Sequence, residues 1–193
     1  MRLILGTQSP RRKEIFDFFS LPFEQKTSSF DEQSIPYSGN PEEFVLEISE
    51  GKAKDLAQTF PDCTILTADT IVVKDRKIYE KPTSREEANQ FLSELTGNWH
   101  TVFTGVTLYH NKKFYNQAEE SRVLMNPFNQ NQIQTYLDSL KWSDKAGGYA
   151  IQGAGGIIIQ RIEGCFYNIM GLPINTVSEL MQKIGIHLWE YMK

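Results

Sequence analysis

Leu3-Ile4-Leu5-Gly6-Thr7-Gln8-Ser9-Pro10-Arg11-Arg12-Lys13 is the stretch from which the rest of the chain is read. Leu3 to Leu5 form a brief apolar run that reads as a short strand. Ser9 followed by Pro10 is a helix-start signal, because a serine hydroxyl caps orphan amides and proline is preorganised for the first helical position. A helix is therefore predicted from near Pro10. Its first turn carries Arg11, Arg12 and Lys13, where the helix dipole is already positive and cations are disfavoured. A negative ligand would remove that conflict. Free amides after a glycine-containing turn, a positive helix end and two forked guanidinium groups together suit phosphate oxygens. The plainer alternative is that the basic side chains swing into water.

The 193 residues are enough for one sizeable core, so a single domain over 1–193 is expected. An apolar fraction of 40% and a charged fraction of 23% are those of an ordinary globular protein. The formal net charge of −4 argues against a general affinity for nucleic acid, which needs a basic face. Any polyanion has to be met by a local pocket. Cys63 and Cys165 read as reduced thiols rather than a disulfide framework. No run has the length of a membrane span and no N-terminal segment has signal-peptide form, so a cytoplasmic protein is expected, without membrane partners.

Outward from the opening stretch, the first helix is expected to end near Ser20, before Leu21-Pro22, and Phe23 to Ser29 is a candidate second strand. Asp31-Glu32 lies among turn-formers. Asn40-Pro41-Glu42-Glu43 starts a second helix that is expected to reach Phe60 and to carry Lys52. Thr64 to Thr67 reads as a buried strand and Ile71 to Val73 as another β-rich run, with Ala68-Asp69-Thr70 between them. An aspartate at such a point is costly to bury unless it is paired, hydrogen-bonded or metal-bound, which singles out Asp69 for chemistry. The structural alternative is an aspartate folded onto its own backbone in a turn. Lys81 sits at the end of a returning strand, where it could approach Asp69. A helix follows from Ser84 to Gly97, then a long alternating strand from Trp99 to Tyr109, and a further strand over Glu119 to Met125. Asn129 caps another helix. Asp144 to Gly156 is glycine-rich, suited either to close approach of a ligand or to a mobile loop, and it has neither dinucleotide-binding nor P-loop spacing. Ile157 to Ile162 reads as a strand, Gly164 to Asn168 as a turn, and Val177 to Ile184 as the last helix. The tail, with Leu188, Trp189 and Tyr191, is apolar enough to dock on the core or on a partner subunit.

In this order, Ser9-Pro10-Arg11-Arg12, Asp31-Glu32, Gly51-Lys52-Ala53, Ala68-Asp69-Thr70, Lys81-Pro82, Gly97 with His100 and Thr104-Gly105-Val106, Asp144 to Tyr149, and Gly171-Leu172-Pro173 form a set that resembles the Maf family of nucleoside triphosphate pyrophosphatases. The resemblance implies a mixed α/β (α+β) fold similar to that of inosine triphosphate pyrophosphatases, with a central mixed, mostly antiparallel sheet flanked by helices and two lobes around a cleft, often as a dimer. It also implies a Mg²⁺- or Mn²⁺-dependent hydrolase that cuts a nucleoside triphosphate between its α and β phosphates. By the same resemblance Asp69 is the acceptor of the water proton. Ser9, Arg11, Arg12, Lys52, Thr70, Lys81 and Gln152 are expected to bind substrate, and Glu32 with Asp69 to hold the metal. Elementary chemistry agrees: four cations answer a triphosphate's charge, and carboxylates supply the hard oxygens that Mg²⁺ prefers.

Thr70 and Gln152 are similar to the branch of the family that acts on dTTP and UTP. The branch acting on 7-methylguanosine triphosphate looks to have glutamine and glutamate there. A glutamine amide offers one donor and one acceptor, which can match the N3–H and a carbonyl of thymine or uracil. Rival readings are the same reaction on another nucleotide, including a modified pyrimidine, and a non-catalytic nucleotide-sensing regulator of cell division.

Overall fold

The structure, a computed structural model, describes residues 2–193. Leu3–Gly6 forms strand β1, buried along its length, and Pro10–Phe16 forms helix α1, whose N-cap Ser9 accepts a hydrogen bond from the Arg12 amide. The helix stops short of the expected Ser20 because the tail takes over the backbone beyond it. Phe19 bridges to Met192, and the Ser20 amide donates to the Tyr191 carbonyl. Leu188 of that tail is buried, whereas Trp189 is exposed.

β1 pairs in parallel with Glu24–Lys26 (β2) on one side and Thr64–Lys74 (β3) on the other. Next come Lys77–Tyr79 (β4), Trp99–His110 (β5), Lys113–Met125 (β6) and Ile159–Glu163 (β7), all joined in antiparallel fashion. The result is a seven-stranded mixed sheet in the order β2-β1-β3-β5-β6-β7, with β4 attached to the far part of β3. Several segments differ from the sequence expectations. β3 is one unbroken strand through Asp69, because its ladder with β5 runs continuously from Ile65 to Val73 and leaves no room for a turn. β6 begins at Lys113 because every residue from there to Leu124 has a partner on β5. β7 starts two residues late, since Gly153–Ile158 winds into 3-10 turns, and Phe166–Met170 is a short helix (α5) rather than a turn, closed by Gly171 at φ 102°.

Both faces of the sheet are covered, so most residues of β3 and β5 are buried whichever face they point to, polar ones such as Thr67, Thr104 and Thr107 included. Pro41–Thr59 (α2) lies across one face, burying Phe44, Val45, Ile48 and Leu56 against Ile65, Ile71 and Tyr109. On the opposite face α1, α5 and Ile174–Gln182 (α6) pack on Leu66, Ala68 and Val106. Arg85–Leu95 (α3) and Gln130–Ser139 (α4) pack on Val72, Val102 and Val123. Each fully buried Leu, Ile or Phe contributes about 1.5–3 kcal/mol, which fixes the register and with it which side chains of β3 face which layer.

One consequence of strand length positions everything that follows. β1 stops at Gly6, opposite Thr67, and β4 joins the same edge of β3 only at Val72. Among the described residues no strand neighbours that edge from Ala68 to Ile71. Asp69 and Thr70 stand in this gap.

Candidate active site

Asp69 points to the α2 side of the sheet. Its Oδ1 accepts from Lys52 Nζ at 2.7 Å, and the same ammonium lies 2.9 Å from Glu32 Oε1. The Asp69 and Lys52 side chains are only 10% and 11% exposed, so this is a desolvated ion pair whose members each depend on the other. Two glycines make the geometry achievable. Gly105 is the β5 partner of Asp69, and a Cβ there would stand 2.4 Å from the Val45 carbonyl oxygen, so its absence lets α2 approach the sheet closely and lowers Lys52 onto Asp69. Gly51, in mid-helix, is costly by about 1 kcal/mol relative to alanine. A Cβ on it would meet the Phe30 ring at 2.4 Å, and the ring's seat there brings the following turn, with Glu32, up to Lys52.

Thr70 points to the other side. Its hydroxyl accepts from Arg12 Nη2 at 3.0 Å and is 2.9 Å from the Thr104 hydroxyl. Arg12 also donates to the Ala68 carbonyl at 2.8 Å and the Gly171 carbonyl at 2.7 Å. The guanidinium therefore serves one carbonyl of the β3 stretch beyond the end of β1 and ties it to the turn at Gly171. Burial lowers its pKa, against the pull of Asp69. Further along the same face His100 Nε2 is 2.7 Å from the Tyr149 hydroxyl. Burial, and then the charge of Lys74, lower His100 to about 4, and burial pushes Tyr149 upward.

All nine residues singled out in the sequence line one cleft of about 480 Å³: Ser9, Arg11, Arg12, Glu32, Lys52, Asp69, Thr70, Lys81 and Gln152. Arg11 is held across the opening by Asp144, and Gln152 Nε2 contacts Glu14 Oε2 at 3.4 Å. The glycine-rich segment is thus a wall of the cleft, with Tyr149 and Lys145 in its lining. Reading residue by residue did not single out Lys145 or Asp144. The signal available was that both belong to the Asp144-Lys145-Ala146-Gly147-Gly148-Tyr149 motif. Glu80 was also passed over: partial burial, then the negative charges of Asp69 and Glu32, push its carboxyl up.

Among the described residues no cluster of three or more His, Cys, Asp or Glu side chains could hold a metal ion. Two carboxylates do converge, however, and the Lys52 ammonium shows that their oxygens can share one cation. A donor set of one or two carboxylates completed by phosphate oxygens and water is the usual one for Mg²⁺, and Glu32 and Asp69 are carboxylates of that kind.

Three likenesses to known proteins bear on this cleft and fold. Residues 2–184 match the family described as Maf-like protein. A protein of Chlamydia caviae named dTTP/UTP pyrophosphatase is 41% identical over 99% of this chain and 98% of its own length, and one of the same name from Clostridium perfringens is 38% identical over 96% and 98%. A Chlamydia muridarum relative, 40% identical, carries the name nucleoside triphosphate pyrophosphatase. The solved structure of the Staphylococcus aureus Ham1 protein superposes with a TM-score of 0.50 at 12% identity, covering 95% of this chain and 100% of that one, a likeness of fold. The mixed α/β fold with helices on both sides of the sheet is the one expected.

Proposed function

This chain belongs to the Maf-like family, and we propose that it is a nucleoside triphosphate pyrophosphatase that converts dTTP and UTP to the monophosphate and pyrophosphate, with Mg²⁺ or Mn²⁺. The observation that carries the reading is the gap in the β3 edge, where a buried carboxylate and several cations from distant parts of the chain share one cleft.

In this reading Asp69 takes the proton of the attacking water. Lys52 engages Oδ1, so Oδ2 is the oxygen left for that proton. When bound, the divalent cation would be held by Glu32 and Asp69 and would orient phosphate oxygens and acidify water. Arg11, Lys81 and Lys145 line the cleft and stabilise charge as it accumulates on departing pyrophosphate. Positioning and electrostatics of this kind supply most of the catalysis in phosphoryl chemistry. Arg12 contributes mainly by holding α1 and the Gly171 turn against β3, which fixes where the other cations stand. Gln152, on the glycine-rich wall, offers its amide to the base.

The test is a panel of dTTP, UTP, CTP, ATP and 7-methylguanosine triphosphate incubated with Mg²⁺ or Mn²⁺, with pyrophosphate and nucleoside monophosphate quantified. Preference for dTTP and UTP with equal amounts of both products is expected. Preference for purine nucleotides, or release of orthophosphate, overturns the reading.

A further inference from the structure

Asp144 takes no part in the chemistry above, yet it joins the two walls of the cleft. It lies in the loop after α4. Its Oδ2 accepts from Arg11 Nη1 at 3.2 Å, and its main-chain oxygen accepts from Arg11 Nη2 at 3.0 Å, a contact between residues 133 apart in the chain. The other carboxylate oxygen takes Lys145 Nζ at 2.5 Å. The Gln152–Glu14 contact ties the same segment to α1 a second time. Arg11 and Glu14, three residues apart, share one face of that helix.

Arg11 has every electrostatic reason to leave this place. It sits in the first turn of α1, beside Arg12, where the helix end is already positive. Asp144 offsets that charge, and by engaging both terminal nitrogens of the guanidinium at once it fixes the plane of the group as well as its position. The remaining N–H donors of Arg11 are then oriented before any ligand arrives. A long side chain ordered in advance need not lose its freedom on binding, which strengthens binding without a new contact.

Resting on the pyrophosphatase reading of this cleft, we infer that Asp144 is a positioning residue for the nucleotide: it holds Arg11 and Lys145 at the cleft opening in the arrangement that receives it. A carboxylate that only competed with the nucleotide for Arg11 would have the reverse effect, and its removal would tighten binding.

The experiment compares wild type, Asp144→Ala, Asp144→Glu, Arg11→Ala and the Arg11→Ala/Asp144→Ala double variant. Pyrophosphate release from UTP is measured with Mg²⁺, and calorimetry gives the Kd of α,β-methylene-UTP with the same metal. For Asp144→Ala the expected result is a rise of about tenfold in both KM and Kd with kcat changed by less than about threefold. Asp144→Glu should recover most of the loss. In the Arg11→Ala background, removing Asp144 should change Kd by less than about threefold, because the side chain that it positions is already gone. An unchanged or tighter Kd in Asp144→Ala, or losses that multiply in the double variant, overturns the inference while wild-type turnover stands. Wild-type protein that releases no pyrophosphate overturns the enzyme reading instead, and the calorimetry still decides on Asp144. Thermal midpoints identify the folded variants, and Asp144→Asn replaces Asp144→Ala if the latter does not fold.

Discussion

Asp69 and Thr70 are adjacent on β3 and face opposite layers, and the two layers handle buried polarity differently. On the α2 side stands a small set of full charges, Asp69, Lys52 and Glu32, with a single ammonium shared by two carboxylates. On the α1 side, among the described residues, a guanidinium meets neutral acceptors, hydrogen bonds run on through Thr70 and Thr104 to the Asn168 carbonyl, and a separate His100–Tyr149 pair lies further along the face. A network of full charges can exchange partners with an ionic ligand at little net cost, because one charge replaces another. A neutral network that satisfies main-chain carbonyls loses hydrogen bonds if it rearranges. The first is suited to chemistry and the second to holding the cleft in shape.

The sharpest division is expected from Asp69→Asn. Turnover of dTTP and UTP should fall on the order of a hundredfold or more, the scale of a positioned general base, while the thermal midpoint falls far less, because the asparagine Oδ1 can still accept from Lys52 and Lys52 keeps Glu32. A variant with undiminished turnover would remove Asp69 from the chemistry. On the neutral face the largest effect comes with pH. His100 takes up a proton near 6.5 when unfolded but only near 4 in the fold. Between those values the unfolded chain binds more protons, so stability falls as pH drops from 6.5 to 4, by about 3 kcal/mol at ~1.4 kcal/mol per unit. Urea titrations of wild type and His100→Gln at pH 7 and pH 4.5 isolate this contribution as the difference between their slopes. Equal slopes would mean that His100 is not desolvated as described.

Arg12→Ala should reverse the pattern of Asp69→Asn. It strips partners from the Ala68 and Gly171 carbonyls and is expected to lower stability by about 2 kcal/mol in chemical denaturation. A loss confined to activity, with stability intact, would move Arg12 into the group of substrate cations. The smallest effect should come from Gly51→Ala. The gain in helix propensity, up to about 1 kcal/mol, is opposed by displacement of the Phe30 ring. Stability is therefore expected to change by under about 1 kcal/mol while turnover drops severalfold, as Glu32 is carried away from Lys52. Unaltered turnover would show that the ring does not set the position of Glu32.

Much of this was legible in the chain itself. The cap at Ser9 and Pro10, the Asn40 and Ser84 starts and the β-rich runs around Asp69 are local signals, and local geometry obeyed them. Asp69 stood out because an aspartate among β-formers demands a partner, but the partner is seventeen residues away on a helix, at a distance set by Gly105. Asp144 was not legible as a partner of Arg11. Nothing near either residue encodes a contact across 133 positions, and charge alone offers Arg11 many other acids.

The sequence by itself determined where the caps and β-rich runs fall and that Asp69 needs a partner, because capping, β-propensity and the cost of burying a charge act over a few residues. The tertiary structure alone decided that these side chains meet. A four-residue β1 beside an eleven-residue β3 leaves part of the longer strand's edge bare, and the packing of α1 and α2 on opposite faces brings cations to that edge from both sides. Strand lengths and helix packing are properties of the whole core, since hydrophobic burial has no direction of its own and is resolved only when every layer is in place.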